Sequence, residues 1–133
     1  VSEYHYVFVH PGQPQDQLIS DLSWACGIQL QPTESEFIDY AANLGYAAVE
    51  VEFSHDYEED QGMPFERYQS LFTVRDFDSN IPRQEGLARQ IFARLASLGR
   101  YSLLLTLDLQ QFIDATPPIP GTGAGAGTGS DRN

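Results

Sequence analysis

The sequence predicts an α+β fold: a mixed, mainly antiparallel sheet in the order β-α-β-β-β-α-β, with two helices packed on one face. Three features predict it. Residues 46–53 alternate apolar and polar side chains, the period of a half-buried strand. Residues 14–26 and 82–98 each carry an apolar stripe at helical spacing. Residues 101–107 are almost wholly apolar, as in a strand covered on both faces.

Tyr4 to Val9 is aromatic and β-branched, which suits a strand, and His10-Pro11-Gly12 ends it. A helix follows from Pro14 to Cys26. Asp16 favours its N-terminal dipole, Leu18, Leu22 and Cys26 form its buried stripe, and Gly27 suits the position after its end. Ile28 to Leu30 reads as a short extended piece, and Pro32 to Glu36 as loop. Phe37 to Ala41 reads as a strand that turns at Asn43-Leu44-Gly45 into the strand Tyr46–Phe53. In that strand Val49, Val51 and Phe53 point one way and Ala48, Glu50 and Glu52 the other. An acidic loop leads to a fourth strand, Ser70 to Arg75. Asp78, Ser79 and Asn80 offer N-caps for the second helix, whose core face is Leu87, Ile91, Leu95 and Leu98. After the strand Tyr101–Leu107, residues 108–115 are expected to form a short final helix.

Residues 1–116 are expected to form one domain, enough chain for a single core. Residues 117–133, with their prolines and alternating glycines, read as a disordered tail. Those glycines are no phosphate loop, because no strand precedes them and no lysine or helix follows.

The formal net charge is −12, and it is unevenly spread. Residues 1–66 hold thirteen Asp and Glu and no Lys or Arg; the remainder holds six acids and seven arginines. Such a front half repels nucleic acid and anionic membranes and attracts a cationic partner. Acidity also keeps a protein soluble, which is the plainer reading. One cysteine, Cys26, permits no internal disulfide. With no signal-peptide pattern at the start and no apolar run long enough to span a bilayer, a cytoplasmic protein is expected.

No catalytic, metal or cofactor motif is present. A calcium loop begun at Asp56 would place Glu58 and Asp60 correctly, but Gln61 stands where Gly is required and Arg67 where Glu is required. For zinc there is one Cys, and the histidines at 5, 10 and 55 are scattered. Ser54-His55-Asp56 are adjacent in the chain and cannot converge as a triad. Cys26 lies on the buried stripe of a helix, where a thiol is inert. Arg83, in the first turn of the second helix, opposes the dipole and needs Asp76 or Asp78 to hold it.

The candidate site is a partner-binding surface. Glu50, Glu52, Asp56, Glu58, Glu59 and Asp60 fall within one window that contains no base. Tyr57, Phe65 and Tyr68 border the acids and are candidate apolar anchors. The stretch Tyr68 to Gln110 contains Leu71-Phe72-Thr73-Val74-Arg75-Asp76, Arg83-Gln84-Glu85-Gly86-Leu87-Ala88-Arg89 and Tyr101-Ser102-Leu103-Leu104-Leu105. About a third of the chain thus resembles small acidic proteins of high-GC bacteria of the polymorphic-toxin immunity type. The resemblance implies a domain that binds and blocks a toxin; it supplies no site residues. The expected function is therefore a non-catalytic inhibitor of a basic partner, with no cofactor. A homodimeric adaptor, a divalent-metal enzyme using the acidic cluster, and a nucleic-acid mimic are the alternatives.

Overall fold

The computed structural model describes residues 3–116. The elements run β1 (His5–His10), α1 (Gln15–Cys26), β2 (Gln31–Pro32), β3 (Tyr40–Asn43), β4 (Ala47–Glu52), a 3-10 turn (Phe65–Arg67), β5 (Ser70–Asp76), α2 (Ile81–Ser97), β6 (Ser102–Leu107) and β7 (Gln111–Thr116). The strands form one sheet in the order β2-β3-β4-β5-β1-β6-β7. Every pairing is antiparallel, so the expected mixed sheet has no parallel pair. The tail expected at 117–133 lies outside the described residues.

Alternation decides which side chains meet the helices. Val7, Val9, Val49, Val51, Phe72, Val74, Leu103 and Leu105 share one face and pack with Leu18, Leu22, Leu87, Ile91 and Leu95 of the two helices. α1 ends as expected, with Gly27 in the left-handed region at φ 77° and its N–H donating to Ser23 O. Asn80 caps α2, its side chain accepting from Arg83 N at 3.1 Å. Asp76 holds Arg83, with Arg83 Nε donating at 2.7 Å and a second guanidinium nitrogen at 3.0 Å. This bidentate pair draws the Asp76 carboxyl well below the ordinary range. Arg94 donates to Ala25 O at 2.9 Å and joins the helices.

Two segments differ from expectation. Residues 108–115 form no helix. Asp108 takes φ 49°, its N–H donates to Tyr4 O and its carboxylate accepts from Tyr4 N, which makes a tight turn into β7. The open edge of β6 offers a full ladder of backbone partners, and that outweighs any local preference for a single helical turn. The third strand begins at Tyr40 instead of Phe37, for a reason given with the site below.

Among the described residues the opposite face of the sheet has no helix. At its centre Phe8, Leu71 and Leu104 would be open to water. The long loop between β4 and β5 crosses that face and sets Met63, Phe65 and Tyr68 onto it. Phe65 stacks on Phe8 with ring centroids 4.5 Å apart. His55 pins the loop: its Nε2 donates to Tyr68 O at 2.6 Å and its Nδ1 accepts from Tyr57 N at 3.1 Å.

Phe65→Ala is therefore expected to cost about 3–5 kcal/mol, the range for emptying a fully buried aromatic site. Urea unfolding checks it; a loss below about 1 kcal/mol would mean that the loop is not a structural lid.

Candidate functional site

Glu52 is the last residue of β4 and faces the side away from the helices, as the alternation requires. The segment 33–39 arrives beside it. Hydroxyl groups shape that segment: Thr33 Oγ1 accepts from Ser35 N at 3.2 Å, Ser35 Oγ accepts from Phe37 N at 3.1 Å, and the Thr33 hydroxyl donates to the Ile38 carbonyl. Such local bonds compete with a sheet ladder, so the strand is delayed to Tyr40. Phe37 is left 76 % exposed. Asp39 fastens the segment to β4, its N–H donating to Val51 O at 2.8 Å and its Oδ2 accepting from Phe53 N at 2.9 Å.

Between this segment and the start of the acidic loop lies an open hollow of about 840 Å³. Glu36, Phe37 and Asp39 line one side; Glu52, Asp56 and Tyr57 line the other. A second hollow of about 580 Å³ adjoins it across Ser54 to Tyr57 and includes Glu58 and Glu66. Burial raises the pKa of the Glu52 carboxyl above its ordinary value, and the negative charges of Asp39 and Glu50 raise it further.

The residues expected to bind a partner separate into three groups. Glu52, Asp56, Tyr57 and Glu58 line the hollows. Glu50 is engaged with Arg75 at 3.1 Å, Glu59 accepts from Gly62 N at the loop tip, and the backbone of Asp60 bridges to Met63. Phe65 and Tyr68 are the correction. Both are turned inward against the sheet centre, Phe65 fully buried and Tyr68 keeping 4 % exposure at the rim of the second hollow, because the uncovered sheet centre claims them. Glu36, Phe37 and Asp39 were missed by the sequence reading. The Thr33-Glu34-Ser35-Glu36 run, with hydroxyls two apart, was the available signal for a turn-rich loop that would expose Phe37.

Charge pairing sharpens the site. Among the described residues Arg75, Arg83, Arg89 and Arg100 pair with Glu50, Asp76 and Asp78, Glu85 and Asp21 respectively. No such ion pair reaches Glu36, Asp39, Glu52, Asp56 or Glu58 among those residues. The described residues contain no group of three His, Cys, Asp or Glu placed to hold a metal ion. No helix among them is long and apolar enough to cross a membrane. Burial pushes the Cys26 thiol up to about 12, far from a reactive thiolate. Comparison of the chain with protein-family models, curated proteins and solved structures finds no match.

Glu52→Gln is expected to stabilise the protein at pH 7 by about 0.5 kcal/mol, the scale of a surface change. The sign follows from proton linkage. The native state holds the Glu52 proton more tightly than the unfolded chain, so the ionised carboxylate lowers stability at neutral pH. The gain should shrink as pH falls through the Glu52 titration. Urea midpoints of both proteins at pH 7 and pH 4 check it.

Proposed function

We propose that this chain is a non-catalytic binding protein that blocks a basic protein partner, in the manner of a toxin-immunity protein. The observation that carries the reading is the concentration of unpaired carboxylates around one hollow, beside the exposed rings of Phe37 and Tyr57. Carboxylates without internal cations lose little on meeting an external one, and their field steers its approach. Phe37 and Tyr57 supply apolar contact to slow its departure. The lone cysteine fits a reducing, cytoplasmic setting.

A second reading is favoured by β7. Its outer edge pairs with no strand among the described residues, and Phe112 is 55 % exposed. Such an edge can pair with a second copy, giving a homodimeric adaptor. Sedimentation of the purified chain separates the readings: a monomer leaves the acidic hollow as the binding surface, and a stable dimer held through β7 displaces it.

Capture from a lysate of the source cells, at low and then high salt, is expected to yield one basic protein released by salt and harmful when expressed alone. With that partner purified, changing Glu36, Asp56 and Glu58 together to Ser should slow association about tenfold at low salt and flatten its salt dependence. Phe37→Ala should instead raise the dissociation rate. An unchanged association rate in the triple variant, or no partner at either salt, would overturn the proposal.

A further inference from the structure

His5, the first residue of β1, is fully buried on the helix side of the sheet. Its Nδ1 lies 2.7 Å from Gln84 Nε2 on α2. The orientation of the Gln84 amide is dictated by its other end, where Gln84 Oε1 accepts from the backbone N–H of Asp76 at 2.9 Å. A backbone N–H can only donate, so the amide must turn its NH2 group towards His5, where it also reaches Glu3 O at 3.0 Å. His5 must then accept at Nδ1 and carry its hydrogen on Nε2. Among the described residues that Nε2 has no hydrogen-bond partner, and Glu85 Oε1 stands 3.6 Å away.

We propose that the His5–Gln84 contact is an acid-sensitive latch holding the start of β1 to α2 and to the β5–α2 corner. A proton added at Nδ1 would face the Gln84 NH2 group, donor against donor. Turning the amide over would relieve that clash but would set NH2 against Asp76 N–H and Oε1 against Glu3 O. Neither orientation satisfies a protonated ring. The charged groups facing His5 compensate only in part. Glu85, 3.6 Å from Nε2, and Asp108 favour a charged ring, but Glu85 is shared with Arg89 at 2.7 Å, Arg89 itself opposes a second cation, and Asp76 is committed to Arg83. Burial acts in the same direction and lowers the His5 pKa. A neutral histidine in the fold, against an ordinary value of 6.5 in the unfolded chain, means stability is lost as pH falls through that value.

The test compares the full chain with His5→Asn, whose side-chain oxygen can still accept from Gln84 but does not titrate. Between pH 7.5 and 5.5 the folding equilibrium constant of the wild type should fall further than that of the variant, by up to about tenfold, the limit for one histidine held neutral across that range. His10 and His55 are present in both proteins and cancel. Nitrogen-detected NMR of the wild type gives a second reading that does not depend on the variant folding. The His5 ring should remain a neutral Nε2–H tautomer across the same range. Equal pH dependence in the two proteins, or a His5 ring that titrates near 6.5 within the folded chain, would overturn the latch.

Discussion

The stacking of Phe65 on Phe8 is the contact on which the arrangement of the acidic surface depends. Two helices can cover one face of a seven-stranded sheet. The centre of the other face carries Phe8, Leu71 and Leu104, which are too apolar to leave in water. The chain answers with the loop between β4 and β5. Its Met63, Phe65 and Tyr68 go inward, and its carboxylates are thereby forced outward. One segment thus serves as structural lid and as charged display, and the burial of its apolar residues determines where the charges stand.

That division bears on how the surface could bind. A free acidic loop would have to be ordered at the moment of contact, at a cost of roughly 1–2 kcal/mol per residue for the backbone. Here the ordering is done during folding: His55 bridges to Tyr68 and Tyr57, and Asp39 clamps the neighbouring segment to β4. Glu36, Asp39, Glu52 and Asp56 are held around one hollow before any partner arrives. The cost appears in the raised Glu52 carboxyl, which burial lifts first and repulsion from Asp39 and Glu50 lifts further. Tension of that kind is what an incoming cation relieves, and it is a common signature of surfaces kept for binding at the expense of stability.

Much of the fold was legible because it rests on local periodicity. The alternation at 46–53 placed Glu50 and Glu52 together on the outer face, and the stripes of Leu18/Leu22 and Leu87/Ile91/Leu95 located both helices. β7 was not legible, since its pairing is dictated by the open edge of β6 and by the turn at Asp108, neither of which leaves a periodic trace in so short a segment. The site was legible in its charge and illegible in its aromatics. Nothing local to Phe65 or Tyr68 says that the sheet above β1 lacks a helix. Nothing local to Phe37 reveals that hydroxyl turns keep it out of the ladder. Charge is read by counting, whereas exposure depends on what the remainder of the chain leaves uncovered.

The arginines show the same dependence on tertiary context. By sequence the second half looks merely neutral. In the fold five of its arginines are spent on internal work: Arg83 on the corner before α2, Arg100 on Asp21, Arg94 on the end of α1, Arg75 on Glu50 and Arg89 on Glu85. A protein of net charge −12 with most of its cations so engaged leaves its acidic end largely uncompensated. The field at Glu52 and Asp56 is therefore a fixed property of the fold. It is screened by salt over about 10 Å at 0.1 M.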